Sequence, residues 1–94
     1  MRVCFVLPSL RPSGGVAVAT RFARALRSGH GVEAELVVLE GGGHEPGDVP
    51  VLEVADARGR GHDVALATWW ETVAPAASLG AARTAVLLQS FEQR

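Results

Sequence analysis

The feature that most constrains this chain is the run Val3-Cys4-Phe5-Val6-Leu7, apolar throughout and closed at once by Pro8-Ser9. A strand with one wet face alternates apolar and polar residues. A strand covered on both faces has no such need and reads as a continuous apolar run. A strand of the second kind needs packed layers on both sides, which points to an α/β architecture with a parallel sheet.

The next residues fit that expectation. Arg11-Pro12-Ser13-Gly14-Gly15 breaks the chain, and residues 16–28 then carry a helical pattern. Val16, Ala19, Phe22, Ala23 and Leu26 fall on one stripe, with Arg21, Arg24 and Arg27 off it. Ser13 is placed to cap the start. Gly29-His30-Gly31 is placed to stop the helix, because glycine takes the left-handed conformation easily. Residues 33–40 alternate and then turn apolar, as a second strand would. Strand, glycine loop, helix and strand make a βαβ unit.

After the polar loop at 41–48, residues 50–54 read as a short third strand and 63–68 as a buried fourth. Only about eight residues separate them, fewer than the ten or twelve a parallel crossover usually takes. The third strand is therefore marginal, or pairs antiparallel, or is followed by a tight extended crossover. Trp69-Trp70-Glu71-Thr72 comes next, then a helix over 72–82 that admits Pro75 only in its first turn. A last strand at 84–88 precedes the terminal Gln89-Ser90-Phe91-Glu92-Gln93-Arg94. The expected order is β-α-β-β-β-α-β, in an open, mostly parallel sheet; were it arranged 3-2-1-4-5, the loops after the first and fourth strands would flank the switch point. No helix follows the last strand, so one apolar face is expected to be unfinished. Residues 1–94 then form one domain, either a truncated part of a longer enzyme or a small relic that needs a partner.

Composition removes several function classes. At 48% hydrophobic and 20% charged, with a net charge of −1, the chain is neither a disordered tail nor a phosphate-neutralising nucleic-acid binder. One cysteine excludes an internal disulfide and a cysteine-based zinc site. No lysine is present to form a Schiff base or serve a phosphate loop. The apolar run is far short of the roughly 20 residues that span a bilayer. Pro8 closes it without a small-x-small cleavage site, so the expected location is cytoplasmic, with Cys4 a reduced core thiol.

Ligands of open α/β sheets collect at the carboxyl ends of the strands, where the strand order reverses. Three loops reach that edge. Gly14-Gly15, at a helix start, offers backbone N–H groups to an anion such as phosphate, or is simply a flexible turn. Trp69-Trp70 could wall a sugar ring or a nucleobase, or one ring could plug the core. Glu71 and Glu92 could accept hydrogen bonds from a sugar hydroxyl or act as a base, or could be a helix cap and a solvated surface acid. Gln89 could bond a ligand or merely end its strand. His30 and His62 belong to the opposite edge, and His44 has no second ligand at metal spacing. Arg21, Arg24 and Arg27 read as a solvated helix face, with an acidic or membrane-surface partner as the weaker option.

Several of these segments together resemble a known family. Arg2-Val-Cys-Phe-Val-Leu-Pro-Ser-Leu, Pro12-Ser-Gly-Gly-Val and Ser28-Gly-His-Gly-Val are similar to the opening of GT-B glycosyltransferases, particularly the retaining family 4 type. Asp63-Val-Ala-Leu-Ala-Thr-Trp-Trp-Glu-Thr and Val86-Leu-Leu-Gln-Ser-Phe-Glu resemble the amino-terminal domain of bacterial rhamnosyltransferases that build surface polysaccharides. The resemblance spans nearly the whole chain. It implies a Rossmann-like amino-terminal, acceptor-side domain of a two-domain enzyme that moves a sugar such as rhamnose from a nucleotide sugar to a glycan acceptor.

In that family, Gly14 and Gly15 would approach the donor diphosphate from across the cleft. Trp69, Trp70, Glu71, Gln89 and Glu92 would line the acceptor side. No metal and no cofactor are implied, the nucleotide sugar being a substrate. The expected partners are the nucleotide sugar, the glycan acceptor and a donor-binding domain or partner chain. Membrane proximity and self-association stay open, and nucleic acid is not expected. The chain departs from the family in lacking the donor domain, so it is expected to be inactive alone. Some relatives carry a histidine where Trp69 and Trp70 stand. The alternative is a non-catalytic Rossmann-like binding or assembly module. A dinucleotide oxidoreductase fits less well, because the three-glycine fingerprint is missing, although Glu40 ends the second strand where a ribose-binding acid would sit.

Overall fold

The structure, a computed structural model, describes residues 1–10, 14–40, 46–69 and 72–86. β1 (Arg2–Leu7) leads to α1 (Gly14–His30) and β2 (Glu33–Val38). β3 (Val51–Glu53), α2 (Val54–Ala57), β4 (Val64–Ala67), α3 (Val73–Ala77) and β5 (Arg83–Val86) follow. The five strands form one sheet in the order β3-β2-β1-β4-β5, and every pairing is parallel. The order reverses at β1, from which the chain first builds outward to β2 and β3 and then returns to the other side for β4 and β5. This is an open, Rossmann-like α/β sheet, small and incomplete.

The strand residues divide by parity, because successive side chains point to opposite faces. Val3, Phe5 and Leu7 join Ala34, Leu36 and Val38 beneath α1, with Ala19 and Ala23 of that helix. Cys4, Val6, Val37, Ala65 and Ala67 pack on the other face with Ala57, Ala76 and Leu79, from or beside α2 and α3. The uninterrupted apolar character of β1 is thus explained by its central place, with helices on both sides. Full burial of a side chain such as Leu7 or Leu36 stabilises by about 1.5–3 kcal/mol.

α1 is longer than the helix expected over 16–28 and takes Gly14 and Gly15 into its first turn. It ends as expected: Gly31 has φ 66°, and the Val32 N–H donates to the Leu26 carbonyl at 3.1 Å. The core-facing stripe is Ala19 and Ala23, buried, with Val16 and Leu26 partly buried beside them, and the two alanines let the helix lie close to the sheet. Phe22, expected on that stripe, is 49% exposed. The reason is its flank. Arg24 binds Asp48 and Arg27 donates to the Ala34 carbonyl, so one flank of α1 faces β2 and β3. Phe22 lies on the other flank, toward β4 and β5, where no described helix covers the sheet. The two arginines therefore tie the helix to β2 and to the segment before β3, where the sequence favoured a solvated face.

The ambiguous third strand is short but parallel to β2, and a single helical turn, α2, begins its crossover. α3 is shorter than the helix expected over 72–82. The Ser78 hydroxyl donates to the Pro75 carbonyl at 2.7 Å, and Gly80 turns left-handed at φ 74°. These two local preferences end the helix. All four β5 residues are exposed, with Val86 at 48%. The proposed cap Ser13, the glycines at 41–43, His44 and residues 87–94 lie outside the described residues.

Candidate functional site

Parallel β1 and β4 lie side by side, with Val6 opposite Ala67. Both leave the sheet at its carboxyl edge. α1 runs antiparallel to β1, since Arg27 near its end reaches Ala34 at the start of β2. Its first residues, Gly14 and Gly15, therefore sit at the carboxyl edge. The first N–H groups of any helix have no partner within the helix, and the helix dipole makes that end attractive to anions. α1 carries no acidic residue in its first turn to occupy that field.

Trp69 follows β4 on the same edge and is half-buried. Two threonines hold its backbone. The Thr68 hydroxyl donates to the Val6 carbonyl at 2.8 Å, stitching the exit of β4 to β1. The Thr72 hydroxyl accepts from the Thr68 and Trp69 amides, each at 3.0 Å, and donates to the Trp69 carbonyl at 2.8 Å. Thr68 and Thr72 are buried. This positions Trp69 through the chain itself and not through its ring alone. The two threonines were not singled out in the sequence, although hydroxyl residues that bond nearby amides are a usual way to fix a turn.

The structure thus brings Gly14, Gly15 and Trp69 to one edge, on neighbouring strands at the reversal of strand order. Trp70, Glu71, Gln89 and Glu92 lie outside the described residues. Glu40 is exposed on the same edge, with its amide donating to the Pro8 carbonyl at 3.1 Å. His30 ends α1 and His62 precedes β4, both at the amino edge. Among the described residues no group of three or more His, Cys, Asp or Glu is placed to hold a metal ion, and no helix is long and apolar enough to cross a membrane.

One charged cluster lies away from this edge and was missed in the sequence. Glu35 of β2 is buried and binds both Arg60 and His62. Burial alone pushes its carboxyl pKa up, but the hydrogen bonds and charges of Arg60 and His62 outweigh that and hold it below the ordinary value. Burial, helped by the Glu35 charge, pushes the Cys4 thiol up to about 12, so it is inert as a nucleophile.

No family model, no curated protein and no solved structure matches this chain.

Proposed function

We propose that this chain is the amino-terminal, acceptor-side part of a nucleotide-sugar-dependent glycosyltransferase, one that moves a sugar such as rhamnose onto a glycan. The observation that carries the reading is the junction of β1 and β4. There a helix that begins with two glycines and a tryptophan with a fixed backbone share the carboxyl edge of a parallel sheet. A helix start without side chains lets a diphosphate come close to backbone N–H groups. An aromatic ring beside it supplies an apolar surface for a sugar ring.

In this reading the chain contributes half of a cleft. Transfer would be driven by holding donor and acceptor together and by stabilising the departing diphosphate. The role of this half is to orient the acceptor and to meet the diphosphate at Gly14 and Gly15. Trp70, Glu71, Gln89 and Glu92 belong to the acceptor side of the same proposal.

Equilibrium binding of a nucleoside diphosphate to the wild-type chain and to Gly15→Asp tests the reading. An acid in the first turn suits the helix dipole, so the fold is kept, while its charge repels a diphosphate. At least a tenfold loss of binding, with an unchanged or higher melting temperature, is expected. Equal binding by both chains would contradict the reading. So would sugar transfer catalysed by these 94 residues alone.

A further inference from the structure

The segment between β3 and β4 has a difficult path. It starts at the edge strand β3 and must pass β2 and β1 to reach β4 on the far side of β1. It has one helical turn, and in α2 only Ala57 is buried. Apolar packing holds little of it. Polar contacts do more: Arg60 donates from Nε to Glu35 Oε1 at 3.1 Å and from Nη2 to Glu35 Oε2. His62 Nε2 lies 2.8 Å from Glu35 Oε1, and Arg2 Nη1 donates to the Arg60 carbonyl at 2.6 Å. Two arms of the crossover thus converge on one carboxylate of β2, on the face that α2 and α3 cover.

We propose that Glu35 is an acid-released latch for the β3–β4 crossover. An ionised carboxylate only accepts hydrogen bonds, so it can receive Arg60 and the His62 Nε2–H together. Once protonated it loses its charge and carries a donor of its own, so both side chains lose their charged acceptor and only the backbone contacts of Arg60 to Arg2 and of His62 to Ala82 remain. The His62 side chain has no second anchor, because its buried Nδ1 finds no partner among the described residues; its backbone carbonyl still accepts from the Ala82 amide at 3.2 Å.

The other groups around the carboxyl do not replace it. The Cys4 thiol faces it from β1, in register with Glu35. Glu33 on its own strand is held by Arg2. α3 has no ionisable residue, and Glu53 of β3 and Asp56 of α2 are exposed. Because the carboxyl titrates lower in the folded chain, the latch is closed above the ordinary carboxylate value and opens as pH falls through the lowered one. The central β1–β2 pairing does not depend on these contacts and is expected to outlast the release.

Hydrogen-exchange protection of the full chain through an acid series tests the latch, read residue by residue by NMR. In the wild type, protection at residues 57–63 should fall at a higher pH than protection at Cys4, Val6, Leu36 and Val37. In R60Q the release should move to higher pH, because the carboxyl then keeps its burial and loses its charge partner. In E35Q the crossover should be weakly protected throughout, with no acid step of its own. If E35Q does not fold, R60Q carries the test, since the Arg60 side chain is 37% exposed and its loss leaves no cavity. Loss of protection at the crossover and the central strands at one common pH would overturn the proposal. So would an unchanged release pH in R60Q.

Discussion

Thr72→Val isolates the hydroxyl that fixes the backbone of Trp69. Valine keeps the shape and the second methyl position, so packing changes little, while the three hydrogen bonds of Oγ1 are lost. Their losses are unequal. The Thr68 amide keeps a long contact to the Val6 carbonyl at 3.4 Å, and the Trp69 carbonyl keeps the Thr72 amide at 3.0 Å. The Trp69 amide loses the partner that Oγ1 provided. A stranded buried donor costs about 1–3 kcal/mol, so the total for this variant is about 2 kcal/mol. For a domain of this size that lowers the melting temperature by roughly 10 °C. Thr72→Ser keeps the hydroxyl and removes a methyl, at about 1 kcal/mol. Calorimetric melting of the three chains decides the matter, with valine expected to be the worse substitution. A Thr72→Val chain that melts with the wild type, or a serine variant less stable than the valine one, would refute the reasoning.

The buried Cys4 thiol should resist iodoacetamide at pH 8 in the native chain and react once the chain is unfolded, as mass spectrometry would show. Leu36→Ala should cost about 2–5 kcal/mol in chemical denaturation, while Phe22→Ser, at a half-exposed position, should stay within about 0.5 kcal/mol of wild type. Hydrogen bonds from Arg24 to Asp48 and from Arg2 to Glu33 hold both carboxyls below their ordinary values of 3.8 and 4.5. Both contributions are present above those values and are lost as pH falls through the lowered ones, so melting temperature should decline in acid, and Arg24→Gln should reduce the Asp48 share of that decline.

The parallel α/β class was legible because β1 is apolar on both faces, and because the glycine break and the helix after it spell out a βαβ unit. The stop of α1 was legible for a related reason: Gly31 alone can take the left-handed turn without strain. What the sequence hid was set by distant contacts. Phe22 has the spacing of a core residue, but its exposure depends on what covers β4 and β5. The shortness of α3 follows from Ser78 and Gly80, whose preference for ending helices competes with a run of good helix formers. Glu35 looked like a wet position in an alternating strand, and only Arg60 and His62, far along the chain, explain its burial. At the carboxyl edge the glycines and Trp69 were found because their loops follow strand ends. Thr68 and Thr72 were not, because a turn held by hydroxyls has no apolar period to betray it.

The central claim is that the carboxyl edge at the junction of β1 and β4 handles a nucleotide sugar. Amide and indole NMR shifts of the labelled chain, followed while nucleoside diphosphate hexoses are added, test it most directly. The account predicts that the shifts concentrate at Gly14, Gly15, Thr68 and Trp69. Shifts confined to the amino edge, at Gly31 and Gly61, or no saturable shift at millimolar ligand, would contradict it.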